Sequence, residues 1–115
     1  MKKSTITIDV SMDETRVPEE ITWSATDNIS EKPQRSKAMM LAFWDAEDKA
    51  ALRIDLWTKS MMMDEMADFF FQTMMTMADT YGRATNHAEL VTDMKKFANE
   101  FYHKFREKQL KENKA

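Results

Sequence analysis

The chain of 115 residues has no cysteine, one glycine and two prolines. The lack of cysteine excludes disulfides, thiolate metal sites and thiol nucleophiles. The single glycine, Gly82, leaves no glycine-rich loop that could cradle a phosphate. No apolar run approaches the ~18 residues that a membrane-spanning helix needs. The net charge of −3 gives no reason to expect a basic surface for nucleic acid.

The length and composition are those of one globular domain spanning residues 1–115. The N-terminal segment "MKKSTITIDVSM" has two lysines but no apolar stretch of the kind found in a secretory signal. We therefore expect a protein that stays in the cytoplasm. Twelve methionines make the chain unusually methionine-rich, and methionine suits both irregular cores and adaptable interfaces.

The first half of the chain alternates apolar and polar residues, which predicts half-buried strands. The alternating segments are "TITIDVSM", "ITWSAT" and "ALRIDLWTK". A fourth segment, "AMMLAFWD", is apolar on both faces, so the sequence leaves open which face of residues 38–44 is buried. All four predicted strands lie within about residues 4–59. The last two flank the short acidic turn "DAEDKA" and predict an antiparallel hairpin. Pro18 is expected to bar strand pairing in the first connection. Residues 27–37 are polar and are expected to form a surface loop.

From about residue 60 the apolar period becomes helical, and two helices are predicted at about 61–82 and 87–110. Ser60 is a candidate N-cap for the first helix, and Gly82 is placed to end it in the left-handed conformation. Asn86 and Glu89 have the spacing of a capping box for the second helix. The tail, 106–115, is expected to fray. The order ββββαα predicts an α+β fold, with a four-stranded antiparallel sheet followed by two helices packed on one face.

The segment "MMMDEMADFFFQTMM" at 61–75 raises the question of a soft-metal site. The main apolar stripe of this helix lies on one arc and is explained by packing of the core. Its members are Met62, Met63, Met66, Phe70, Met74, Met77 and Tyr81. Asp64 and Asp68 are one turn apart and could share a divalent cation, but their side of the helix has the composition of a solvated face. His87 and His103 match no catalytic or zinc-ligand spacing. The sequence predicts no catalytic residue, no cofactor and no metal, hence no enzyme.

Two groups of apolar residues remain as candidate interface. If the helices cover the sheet face that carries Ile54, then Trp44 and Trp57 point to the other face, beside Met40 and Arg53. Tryptophan together with arginine is the composition of interaction hot spots. On the first helix, Phe71 lies on one margin of the apolar arc and Met75 falls inside the polar arc. The second helix can cover one margin of such an arc and a subunit partner the other. Phe71 and Met75 are therefore either part of an interface or single exposed apolar residues.

Three segments resemble the gliding-motility-associated protein GldC family: "VPEEITWSATD", "KAMMLAFWDAEDKAALRIDLWTKSMMMDEMADFFFQTMMTMADTY" and "MKKFANEFYHKF". The most specific part is "LRIDLWTKSMMMDEM" followed by "FFFQTMMTMADTY". The resemblance implies a non-enzymatic accessory role in gliding motility, assisting a larger machine of the cell envelope. It implies other proteins of that machinery as partners, and it assigns no catalytic residues.

Three functions follow as hypotheses of different classes. The first is an accessory protein of gliding motility that acts by protein–protein interaction, with self-association into a homo-oligomer as an added expectation. The second is a SecB-like chaperone or export-assisting module, because four strands followed by two helices is also the order of that fold. The third is a small enzyme that uses Asp64 and Asp68 with a divalent metal.

Overall fold

The computed structural model describes residues 2–26 and 32–113. Its elements, in chain order, are β1 (Ile6–Met12), β2 (Pro18–Ala25), β3 (Gln34–Ser36), β4 (Ala38–Asp45), β5 (Ala50–Trp57), α1 (Met63–Thr85) and α2 (Ala88–Asn113). They group into two compact units, Met1–Met61 and Met62–Ala115. The α+β class with two C-terminal helices is confirmed. One domain, and helices packed on a sheet face, stay predictions.

The strands form two sheets, so the predicted single four-stranded sheet is wrong. One sheet has three strands in the order β1-β2-β3, and the other is the two-stranded pair β4-β5. All the pairings are antiparallel. The predicted third strand is preceded by β3, which pairs with β2 while β4 pairs with β5. The polar sequence "QRS" of β3 carries no alternation, which is why this part of the predicted loop was not recognised as a strand. Residues 27–31 of that loop lie outside the described residues.

The two sheets are joined at Lys37, the single residue between β3 and β4. The carbonyl of Lys37 accepts the backbone N–H of Thr58 at 2.8 Å and the Thr58 hydroxyl at 2.9 Å. Thr58 is buried, and its hydroxyl also lies 3.1 Å from the Ser60 hydroxyl. Because each polar group of this buried side chain has a partner, the junction incurs little desolvation cost.

Pro18 does take part in pairing, contrary to the expectation. It is the first residue of β2 and lies opposite Met12, where the register shifts. A proline at a strand start is tolerated because the missing N–H falls where the ladder is already irregular. The Pro18 carbonyl accepts a hydrogen bond from the Lys59 N–H at 3.2 Å.

The turn between β1 and β2 is organised by the Asp13 carboxylate. This group accepts the N–H groups of Thr15 and Val17 and the Thr15 hydroxyl, at 2.8 to 2.9 Å. Lys59, just after β5, places its Nζ 2.5 Å from Asp13 Oδ2 and 3.3 Å from Glu19 Oε1. The ion pair with Lys59 and the backbone donors hold the pKa of Asp13 well below its usual range. The same pair raises the pKa of Lys59.

We expect Asp13→Asn to lower the stability of the strand unit at neutral pH, because an amide does not replace the charge in these contacts. A carboxylate with a depressed folded-state pKa stabilises fully above its unfolded pKa. The difference between wild type and Asp13→Asn should therefore be constant above pH ~5 and shrink as the pH falls below the ordinary value of 3.8. Urea midpoints at a series of pH values test this, with Glu14→Gln as the control for loss of charge in the same turn. A difference that persists unchanged at pH ~2 would contradict it.

The helices α1 and α2 form an antiparallel hairpin whose contact is built on small residues. The only buried side chains in the described part of the two helices are Ala67, Ala78 and Ala98. On α1, a line at spacings of 4, 3, 4 and 4 from Ala67 through Phe71, Met74 and Ala78 to Gly82 faces α2. A Cβ on Gly82 would lie 3.0 Å from Val91 Cγ2, so this glycine serves close approach of the helices.

The predicted helix ends were wrong by a few residues. Helix α1 continues through Gly82 to Thr85, and Asn86 takes the left-handed conformation with φ of 63°. Asn86 therefore ends α1, and its N–H bonds to the Gly82 carbonyl at 2.9 Å. At the start, Met62 is the N-cap in place of Ser60, and its N–H bonds to the Glu65 carboxylate at 3.1 Å. Helix α2 extends to Asn113, so residues 106–113 are helical; 114–115 lie outside the described residues.

Candidate interaction surfaces

The β4–β5 hairpin has two faces set by its regular register. On one face Trp44 lies opposite Ala51, Ala42 opposite Arg53, Met40 opposite Asp55 and Ala38 opposite Trp57. We call this set the tryptophan face. Trp44 is 69% exposed and Trp57 59%, while Met40 is half-buried. The register places Met40, Trp44, Arg53 and Trp57 on one face, and their role as an interface stays a prediction.

A bidentate ion pair lies in the middle of the tryptophan face. Arg53 donates from Nε to Asp55 Oδ2 at 3.0 Å and from Nη2 to Asp55 Oδ1 at 2.8 Å. Both side chains are about half exposed, and the carboxylate raises the pKa of the Arg53 guanidinium. The pair fixes a planar cation beside the two indoles, and such groups stack well on aromatic and amide surfaces of a partner.

The opposite face of the hairpin is also apolar and is called here the aliphatic face. Its members are Met39, Leu41, Phe43, Leu52, Ile54 and Leu56. Phe43 and Leu52 lie directly opposite each other and are 60% and 55% exposed. Which face of residues 38–44 is buried was left open by the sequence; no residue of β4 on either face is fully buried.

Phe71 is half-buried because it packs against α2. Its ring centroid lies 4.8 Å from that of Tyr102, with an interplanar angle of 35°. Arg106 lies over the same tyrosine at 5.7 Å from the centroid, within the range of a cation–π contact. Met75 is half-buried as well. Phe71, a candidate interface residue, is therefore partly covered by the second helix.

The exposed apolar side of the helix hairpin α1–α2 carries part of the stripe predicted to be core. Met63, Phe70 and Met77 on α1 and Leu90 and Phe97 on α2 are exposed. Near the open end of the hairpin, a groove of about 610 Å³ runs between the helices. It is lined mainly by Met63, Met66, Phe70, Phe101 and Phe105, with Lys108 and Glu112 at its rim. We call it the helix groove.

The polar candidates of the sequence lie on the two helices and in the turn between them. Within residues 2–26 and 32–113, no group of three or more His, Asp or Glu side chains could hold a metal ion. His87 Nδ1 lies 2.9 Å from the Tyr81 hydroxyl, a contact across the turn between the helices. Asp79 is ion-paired with Lys95 at 2.7 Å. Among the described helices, none is long and apolar enough to cross a membrane.

Two structural groups escaped the sequence interpretation. Tyr102 covers Phe71. It lies beside the line of phenylalanines that recur every four residues on α2, namely Phe97, Phe101 and Phe105, and not on it. Thr58 reads as a polar residue at a strand end, although it is the buried link between the sheets. The position of Tyr102 was predictable in part, because it lies four residues after Ala98 and therefore on the same face of the helix. No pattern in the sequence predicts the burial of Thr58.

These features define a class: a small α+β protein with exposed apolar faces on a strand hairpin and on a helix hairpin. The chain belongs to the gliding motility-associated protein GldC-like family, whose model matches residues 18–107. The matched range runs from the start of β2 into the last turns of α2. No curated protein and no solved structure matches the chain. Its family associates the chain with gliding motility.

Proposed function

We propose that the protein is a non-enzymatic accessory factor of gliding motility that binds another protein of the machinery through the tryptophan face. The observation that carries this proposal is the pair of exposed indoles flanking the Arg53–Asp55 pair. Tryptophan and arginine dominate measured hot spots. Exposed clusters of large apolar side chains mark binding sites more often than scattered single ones do.

The proposal includes a place of action in the cytoplasm, facing the envelope machine or its components before export. The chain has no cysteine, whereas small exported domains commonly depend on disulfides. The partner that fits the face is a protein with an apolar surface of similar size and a carboxylate or carbonyl to meet the guanidinium.

The test is affinity purification of native complexes with quantitative mass spectrometry. Trp44→Ala with Trp57→Ala should reduce the recovery of gliding-machinery proteins at least about tenfold, since each lost hot-spot residue costs ~2 kcal/mol or more. The matched control is Phe43→Ala with Leu52→Ala, an equally exposed pair on the aliphatic face. Its recovery should stay within about twofold. Equal recovery in both variants would refute the tryptophan face as the binding site.

The chaperone hypothesis gains support from one observation, the helix groove with its methionine and phenylalanine lining. Adaptable apolar grooves suit clients without a fixed sequence. The same purification separates the two functions. A chaperone would recover many unrelated proteins, and their recovery would be insensitive to the tryptophan substitutions but reduced by Phe70→Ala with Phe101→Ala.

A further inference from the structure

Strand β5 has an open edge. Within residues 2–26 and 32–113 it pairs with β4 on one side, and no strand lies on the other side from Ala51 to Trp57. Beyond this stretch, the Lys59 N–H donates a hydrogen bond to the Pro18 carbonyl. An eight-residue strand without proline is a template for pairing with another strand. A two-stranded sheet is also only marginally stable by itself.

One hydrogen bond determines which residues of β5 direct their backbone N–H and C=O groups towards β4 and which direct them to the open edge. Thr58 donates its N–H to Lys37, and the register from Ala38–Trp57 to Asp45–Ala50 is unbroken. Because hydrogen-bonded and non-bonded pairs alternate in an antiparallel ladder, Leu56, Ile54 and Leu52 direct their backbone groups towards β4. The backbone groups of Ala51, Arg53, Asp55 and Trp57 are therefore directed to the open edge.

The sequence of the strand is self-complementary about Ile54. In the order Leu52-Arg53-Ile54-Asp55-Leu56, leucine matches leucine and arginine matches aspartate when the strand is reversed. We propose that two copies of the chain associate by antiparallel pairing of β5 with β5, with the two-fold axis at Ile54. Arg53 of each copy then lies opposite Asp55 of the other, at a hydrogen-bonded pair of the outward-facing backbone groups.

The charges select this register over its neighbours. A shift that centres the pair on Arg53 places two guanidinium groups opposite each other, and a shift that centres it on Asp55 places two carboxylates opposite each other. Directly opposed like charges on a sheet are destabilising, and opposed unlike charges are stabilising. With the axis at Ile54, each guanidinium lies between two carboxylates, that of its own chain and that of the second copy. The intrachain pair already holds Arg53 in position for this.

Both faces of the hairpin continue across this pairing. On the aliphatic face, Leu52 meets Leu56 of the second copy, and the two Ile54 side chains meet on the axis. On the tryptophan face, Trp57 lies over Ala51 of the second copy, whose small side chain leaves room between Trp57 and the neighbouring Trp44 of that copy. All four residues on each β5 that would direct their backbone to the second copy are exposed. The inference stands independently of the proposed partner in gliding.

The first test uses charge reversal and mixing, measured on the full chain by sedimentation equilibrium. Wild type should reach twice the 13.6 kDa of one chain. Arg53→Asp and Asp55→Arg, each alone, should weaken self-association about tenfold or more, because each places like charges in both symmetric pairs. Mixing the two variants should restore a dimer, because each pair then joins an aspartate to an arginine. An ion pair within one chain cannot account for that restoration.

The second test is disulfide cross-linking through a single introduced cysteine, since the chain has no cysteine of its own. In a non-hydrogen-bonded pair the two Cα atoms lie ~4.5 Å apart, within the range that a disulfide spans. Ile54→Cys should therefore form a covalent dimer rapidly on mild oxidation. Phe43→Cys, on the same face but on β4, should cross-link at least about tenfold more slowly. Circular dichroism checks that each variant retains the wild-type fold.

Several results would overturn the proposal. The first is a wild-type chain that stays monomeric at ~100 µM, where a standard-sized interface is populated. The second is a mixture of the two charge variants that stays monomeric. The third is an equal cross-linking rate at the two cysteine positions.

Discussion

Replacing Ile21 by alanine should cost the strand unit about 2–5 kcal/mol of unfolding free energy, the range measured for buried aliphatic truncations. Ile21 is 1% exposed and is the only large side chain fully buried in the described residues. It lies on the central strand β2, opposite Val10 of β1 and Ser36 of β3. Truncation therefore removes contacts to both neighbours and leaves a cavity that a short sheet cannot easily close.

The matched control is Ile6→Ala. Ile6 lies on the same face of the same sheet but is 72% exposed, so its truncation should cost less than ~1 kcal/mol. Urea unfolding followed by tryptophan fluorescence gives both values, with an unchanged slope showing that the unfolded reference is the same. Equal losses for the two variants would show that Ile21 is not the centre of this core.

Enlarging Ala78 to leucine should destabilise the helix unit by about 1–3 kcal/mol, the cost of overpacking a close contact. Ala78 is completely buried and belongs to the line of α1 that faces α2. Leucine and alanine both favour the helix, so the loss reports the approach of the two helices and not the propensity of either. The branched side chain has no space unless the helices separate.

Ala84→Leu makes the same chemical change at an exposed position of the same helix and should change the stability by ~0.5 kcal/mol or less. Thermal melts followed at 222 nm compare the variants. An Ala78→Leu chain as stable as wild type would mean that the alanine contact between the helices is looser than described.

The strand hairpin was predictable because its sequence indicates both the two strands and the turn that connects them. Alternation in "ALRIDLWTK" and the short apolar run "AMMLAFWD" predict the two strands, and the acidic turn between them predicts the connection. The shared face of Trp44 and Trp57 follows from the register, which the turn length fixes. The division into two sheets was not predictable, because β3 is three polar residues and its pairing depends on β2 rather than on any pattern of its own.

The helix hairpin shows why periodicity alone left a face undecided. Helix α1 is apolar over more than half of its circumference, so two different arcs could face a neighbour. The arc with the larger side chains, which includes Met63, Phe70 and Met77, is predicted to cover the sheet, whereas the arc with Ala67 and Ala78 faces α2. Small residues allow close approach of helix axes, and a hydrophobic scale gives them little weight. The prediction that Gly82 ends α1 was wrong, because this glycine allows close contact with α2 and the helix continues past it.

If the protein serves gliding through the tryptophan face, the motility of living cells depends on Trp44 and Trp57. A gliding strain that lacks the protein would be complemented with wild type, with Trp44→Ala/Trp57→Ala or with Phe43→Ala/Leu52→Ala, at equal expression. We expect gliding speed to be restored by wild type and by the aliphatic-face control but not by the tryptophan variant. Full restoration by the tryptophan variant would show that gliding does not depend on the tryptophan face.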